Sequence, residues 1–293
     1  MKNIQLIILS VLLIISGCKT AVKVTDYRKN AETAEQAGDY VVAAEAWKYY
    51  FEQLPAGSEP EGSVYAQAAR TAYQVSDVEQ ALEWYEQARQ RGYNEPSMYL
   101  TLAEIYRNQG NVSKELSALE EFKVKSPTEN LDVNTRLFSI YYTTDQHEKA
   151  MEAWEKMPDT QKRTEQSLER YFILNKQIGN DGKADSVSLE LLKLAPGHVD
   201  ALEWHAQKIY EKAEAKYQRE MKEYKARPTT GNYQTLLRGL KVATADFRKA
   251  LQYFEKLWEV NPEDRSEYAV YMNNIHIRFD DKQKADYYRK FIE

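Results

Sequence analysis

The residues of this chain best suited to nucleophilic or metal chemistry are His147, His198, His205, His276 and a single cysteine, Cys18. None belongs to a ligand set. His147 precedes Glu148, but the second histidine of a zinc-protease HExxH helix is missing. His276 and Asp280 stand one helical turn apart and offer two ligands, too few to hold a metal. There is no GxSxG elbow, phosphate-cradling glycine loop or dinucleotide fingerprint. The adjacent acids Glu120, Glu121 and Asp280, Asp281 lie among ordinary surface charges and read as solvated faces, since paired carboxylates for glycoside chemistry need a cleft between them. One cysteine makes no internal disulfide and no thiolate cluster. These residues predict no catalytic centre, no metal and no cofactor, so the chemistry in question is that of binding.

The elements that must position a binding surface follow a period of about 34 residues. A small residue recurs at Ala43, Ala81, Ala150, Ala184, Ala250 and Ala285, at steps of 38, 69, 34, 66 and 35. A proline falls twelve residues after that phase at Pro55, Pro127, Pro196 and Pro262. Such a period predicts stacked helix pairs, each too small to bury its own apolar face. The 66-residue step lacks a turn glycine until Gly231, and residues 200–226 read as one helix of about 40 Å at 1.5 Å per residue. Pro228, Thr229, Thr230 and Gly231 then break it, with a threonine placed to cap the next helix. The stripe Tyr210, Ala213, Tyr217, Met221, Tyr224 is expected to face Tyr233, Leu236, Leu237, Leu240, Ala243 and Phe247 in an elongated hairpin. Two standard units of 33 residues are the alternative. A further unit ends with Phe291 and Ile292 and no polar capping helix.

The pattern Gly38, Ala43, Trp47, Tyr50, Pro55, repeated with variations such as Ser76 in place of the turn glycine, resembles the tetratricopeptide repeat. Glu115 stands where alanine is expected, so that either the helices separate there or the phase slips to Leu116. The resemblance implies an all-α, right-handed α-solenoid of about seven antiparallel helix pairs, the sixth elongated. The corresponding division is 24–197 for five pairs, 198–262 for the long hairpin and 263–293 for the last pair. In this family positions 2, 5, 9, 12 and 13 of each first helix line a concave groove. Carried over, the groove comprises Arg70, Tyr73 and Gln74, then Leu100, Glu104, Arg107 and Asn108, then Ser139 and Tyr142, then Ile173, Lys176 and Gln177. This mixed polar and aromatic surface suits a protein or peptide partner. The family's carboxylate-gripping set is not reproduced, since Arg28 is followed by Glu32.

The amino terminus adds a place of work. Lys2 and the apolar run from Leu6 to Ile15 fit an export signal and are too short to cross a bilayer. Ile15, Ser16, Gly17, Cys18 resembles a bacterial lipobox. That resemblance implies cleavage of residues 1–17, acylation of Cys18, with palmitate among the acyl chains, and a lipidated tether over 18–23. Lys19 replaces the aspartate that retains lipoproteins at the inner membrane, which favours the outer membrane of the cell envelope. Removal of Lys2 leaves 39 basic against 45 acidic residues, a net charge of −6 that argues against a nucleic-acid partner. The expected function is a membrane-anchored scaffold for protein partners, as a subunit of an assembly, secretion or motility complex. It is similar to outer-membrane lipoproteins that assist barrel assembly. A glycan or small-ligand capture lipoprotein, suggested by 5 tryptophans and 22 tyrosines, is the alternative.

Overall fold

The structure, a computed structural model, describes residues 24–292. The expected signal segment, Cys18 and the tether to residue 23 lie outside the described residues. The chain forms two compact units that divide after Glu129. The first carries α1 (Val24–Gln36), α2 (Tyr40–Glu52), α3 (Gly62–Gln74), α4 (Val78–Gln90), α5 (Pro96–Asn108) and α6 (Val112–Lys125). The second carries α7 (Leu131–Thr143), α8 (His147–Glu155), the single turn α9 (Asp159–Lys162), α10 (Glu165–Gln177), α11 (Asp181–Leu194), α12 (Val199–Ala226), α13 (Thr230–Val260), α14 (Arg265–Arg278) and α15 (Lys282–Arg289). Among the described residues there is no strand, and the architecture is a succession of seven antiparallel helix pairs.

Three residues close six of the seven pairs, and the last two of them form a turn with the same backbone geometry each time. The first turn residue is left-handed: Gly38, Gly110 and Gly179 have φ of 76°, 68° and 72°, and Ser76, Asp145 and Asp280 take their place at 63°, 55° and 58°. The second donates its backbone N–H to the carbonyl five residues back, as in Asp39 to Ala34 (2.9 Å), Asn111 to Tyr106 (2.8 Å) and Asp281 to His276 (2.9 Å). These bonds satisfy carbonyls that the end of a helix leaves without a partner. In four of the six the side chain of the same second residue also caps the next helix. Asp39, Asp77, Asn111 and Asp281 accept from the backbone N–H of Val42, Gln80, Lys114 and Lys284. Two residues thus end one helix and start its antiparallel partner.

The repeating small residue does what its spacing implies. Ala43, Ala81, Ala150, Ala184, Ala250 and Ala285 are all 2% exposed or less. Glu115 is buried in the same phase on α6, with Leu116 half-buried, so the phase does not slip. Trp47, Trp154 and Tyr99 are core residues, whereas Tyr65 and Tyr106 are half-buried. In the first pair the Glu35 carboxylate accepts from Trp47 Nε1 (2.7 Å), Gln67 Nε2 (2.5 Å) and the Thr71 hydroxyl. It ties α1 to α2 and α3.

The long step is one hairpin, α12 of 28 residues against α13 of 31, and not two standard units. Thr229 caps α13 by accepting from Asn232 N–H at 3.2 Å. Gly231 is not part of the break, because it lies inside the first turn of α13. Ala213, Ala243, Phe247, Ala250 and Phe254 form the seam, but Leu237 faces away from it and is 44% exposed. Gly239 permits close approach: a Cβ there would lie 2.4 Å from Glu220 Cδ. Phe291 packs edge-on against Trp258, ring centroids 4.9 Å apart, while Ile292 is 40% exposed.

Two substitutions test this account by chemical denaturation. Ser76→Gly removes the cost of a left-handed backbone in a residue with a Cβ and is expected to raise stability by about 1 kcal/mol. Gly62→Ala is expected to lower it by roughly 1–3 kcal/mol, as typical of overpacking. Its new Cβ would lie 2.8 Å from the Ala88 carbonyl oxygen and 2.9 Å from Tyr93 Cβ.

Candidate functional site

In the first unit, α3 and α5 are the first helices of successive pairs, and the carried-over residues occupy their solvent-facing sides. Arg70, Gln74, Glu104, Arg107 and Asn108 are exposed, and Tyr73 and Leu100 are half-buried. Asn108 Nδ2 donates to the Tyr73 hydroxyl at 3.5 Å, joining the two helices. Burial, then the Glu104 charge and a hydrogen bond to it, raise the Tyr73 hydroxyl above its ordinary 10.0. Arg70 turns aside from this group and lines a small cavity of about 30 Å³ with Tyr85, Tyr93 and Met98. The surface is therefore a tyrosine held between an acid and an amide.

In the second unit, Ser139, Tyr142 and Ile173 are half-buried, and Lys176 and Gln177 are exposed. The structure adds residues that the carried-over positions omit. Arg170 donates to Ser139 Oγ at 2.7 Å, and its guanidinium stands 5.8 Å over the Tyr142 ring. Tyr142 is raised by burial and by the Glu169 charge. Trp204 of α12 lies between Lys176 and Lys208, whose ammonium groups are 5.5 and 5.0 Å from its ring centre. Its Nε1 donates to Asp185 Oδ1 at 2.8 Å, and Lys208 Nζ reaches both Asp185 oxygens at 2.7 Å. Burial works to raise the Asp185 carboxyl, but the hydrogen bonds from Lys208 and Trp204 outweigh it and hold the group below its ordinary 3.8. Arg170 and Trp204 are both the sixth residue of their helices, counted from Glu165 and Val199. Arg170 falls in the gap between carried-over positions 5 and 9, and the carried-over set ends on α10, one pair before Trp204. Tryptophan at a position with no packing role in the repeat was the available signal.

The larger cavities lie elsewhere. One of about 290 Å³ opens between α4, α5 and α6, with Lys114 over the Tyr106 ring at 5.4 Å. Another, of about 280 Å³, is floored by Trp154 and Tyr171, stacked 3.9 Å apart, and rimmed by Lys162, Arg163 and Lys183. The His276–Asp280 pair dissolves, because α14 ends at Arg278 and Asp280 lies in the left-handed turn. His276 is buried and stacked on Tyr288 instead, with Asp281 3.6 Å from its Nδ1.

His205 lies behind the Trp204 cluster, its Nε2 2.9 Å from Ser188 Oγ. Burial lowers it below 6.5, and burial likewise lowers His276. A lowered histidine stays neutral in the fold while the unfolded chain takes up its proton, so stability is full above about 6.5 and falls as pH drops toward the folded value. The thermal midpoint is expected to fall over that window, ahead of the carboxylates Asp77, Asp185 and Glu214, whose lowered values act only in more acid solution. His205→Gln should flatten the first part of the profile in scanning calorimetry.

No protein-family model and no curated protein matches the chain. Among solved structures, it is similar to a tetratricopeptide repeat protein from Parabacteroides merdae, at 15% identity over 91% of each chain with a TM-score of 0.42. It is similar to YrrB, described as a TPR protein with an unusual peptide-binding site, at 17% identity over 75% of this chain and 95% of that one, TM-score 0.44. It is also similar to PilF of Pseudomonas aeruginosa, at 14% identity over 78% of this chain and 88% of that one, TM-score 0.40.

Proposed function

We propose that the protein is a membrane-anchored scaffold that binds protein partners in the bacterial cell envelope. The observation that carries the binding half of this reading is the second-unit cluster. Lys176, Lys208, Arg170, Trp204 and Tyr142 bring three cations and two aromatic rings to one face, with Asp185 and Ser139 fixing them by hydrogen bonds. Aromatic and arginine anchors held rigid before binding carry most of the energy of protein interfaces, because little side-chain freedom is left to lose. A partner segment with acidic and apolar side chains would complement this face. The anchoring half rests on the lipobox resemblance at Cys18, which supports an outer-membrane location and a place in an assembly, secretion or motility complex.

Glycan capture has less support. A sugar needs an open aromatic face, and the tryptophans do not offer one. Trp47, Trp84 and Trp154 are at most 6% exposed, Trp204 is capped by two lysines, and Trp258 is covered by Arg265, Tyr288 and Phe291.

Cross-linking in intact cells followed by purification is expected to recover a discrete protein complex with the parent chain. Cys18→Ala should release the protein from the membrane fraction and deplete that complex. Lys176→Glu with Lys208→Glu should deplete it while the chain stays membrane-bound. Recovery of monomer alone from the parent would overturn the reading.

A further inference from the structure

The far end of the α12–α13 hairpin differs from the rest of the molecule in charge. Between Lys216 and Val242 there are seven basic residues and two acidic ones, a net of +5 in a chain whose total is −5, so that everything outside this segment sums to −10. Glu220 is spent on Lys216 and Arg219, each 3.3 Å away. Lys222, Lys225, Arg227, Arg238 and Lys241 are exposed, and among the described residues none of them is paired with a carboxylate.

The end also overhangs its neighbours. On α12 Glu214 and Tyr217 both meet Arg278 of α14, and on α13 Arg248 stands over the Phe279 ring. Nine residues of α12 lie beyond Tyr217, about 14 Å of helix. On this overhang the apolar stripe does not close on itself. Tyr233 and Leu237, one helical turn apart on α13, are 45% and 44% exposed, and Arg238 and Lys241 flank them. An acidic protein or a nucleic acid would be served by the cations alone. Exposed tyrosine and aliphatic side chains ringed by long-stemmed cations are what a helix needs at the headgroup boundary of a bilayer. There the apolar groups enter the acyl edge while lysine and arginine remain among anionic phosphates.

We propose that the tip of the α12–α13 hairpin docks on an anionic phospholipid surface. The excess of negative charge elsewhere on the chain is repelled by the same surface, so the tip is the part that approaches it. This docking stands on the hairpin alone and is independent of lipidation and of the protein partners proposed above.

The test uses the full chain carrying Cys18→Ala, so that no acyl chain contributes, with vesicles of phosphatidylcholine alone and of phosphatidylcholine mixed equally with phosphatidylglycerol. Selective, salt-sensitive sedimentation with the anionic vesicles is expected. Replacing Lys222, Lys225, Arg227 and Lys241 by glutamine should weaken it roughly fivefold per charge, several hundredfold in all, since each basic residue near such a surface contributes about 1 kcal/mol. These side chains carry no internal ion pair, and an unchanged circular dichroism spectrum would show that the variant folds. Tyr233→Ser with Leu237→Ser should weaken vesicle binding with the charge intact. Absence of binding to the anionic vesicles, or equal binding by parent and glutamine variant, overturns the proposal. So does binding untouched by the two serines but displaced by polyglutamate, which marks a patch for an acidic protein. Self-association of the parent that the glutamines abolish, without vesicle binding, would instead identify a second copy of this chain as the occupant.

Discussion

The interaction on which the helix pairs depend is the backbone bond from the second turn residue to the carbonyl five residues back. It can form only where the first turn residue accepts a left-handed conformation. Where it forms, helix direction reverses within three residues, and the small side chain four residues into the next helix arrives against its partner. Gly38 with Ala43, Gly179 with Ala184 and Asp280 with Ala285 keep that offset of five. The burial of the alanines is therefore a consequence of turn geometry as much as of apolar character. Ser76, Asp145 and Asp280 show that the turn tolerates a side chain, with aspartate better suited than serine because its carboxylate can bond locally.

The hairpin of α12 and α13 is where this rule is suspended. Arg227, Pro228 and Thr229 join the arms without a left-handed residue, and the arms are free to run past the standard length. Their seam narrows at Gly239, where the absence of a side chain admits the Glu220 stem, and the buried carboxylate is neutralised by Lys216 and Arg219 on its own helix. Closer to the neighbouring pairs the seam fills with Phe247 and Phe254, and Tyr210 and Tyr271 carry the packing into α14.

Much of the architecture could be read from the sequence because period and burial share one cause. The alanines, the prolines after α2, α6, α11 and α13, the threonine cap and the long α12 all follow from local rules of helix ending and packing. What could not be read depended on reach across helices. Trp204 and Lys208 share one turn of α12, but they meet Asp185 and Lys176 only once α10, α11 and α12 have been set side by side, and no spacing within one helix encodes that meeting. Leu237 was placed on the seam because its neighbours Leu236 and Leu240 belong there. A helix turns 100° per residue, so one residue of error moves a side chain from the core to solvent. Asp280 was counted as helical for the same reason that Asp145 was not recognised as a turn: aspartate carries no fixed conformational signature, whereas glycine at Gly110 or Gly179 does.

The hairpin has a further consequence for how the second unit comes into being. Its arms are joined by three residues, so bringing their near ends together closes a very small loop, and its seam is the most extensive between any two helices of the unit. A short connection keeps the entropy of loop closure small, and each further turn of one arm then packs on the other without a new loop. The α12–α13 pair is thus the most extensively packed part of the unit, and α10–α11 on one side and α14–α15 on the other pack against it. Amide hydrogens along the Phe247 to Leu257 stretch would then be the last in this unit to exchange with solvent.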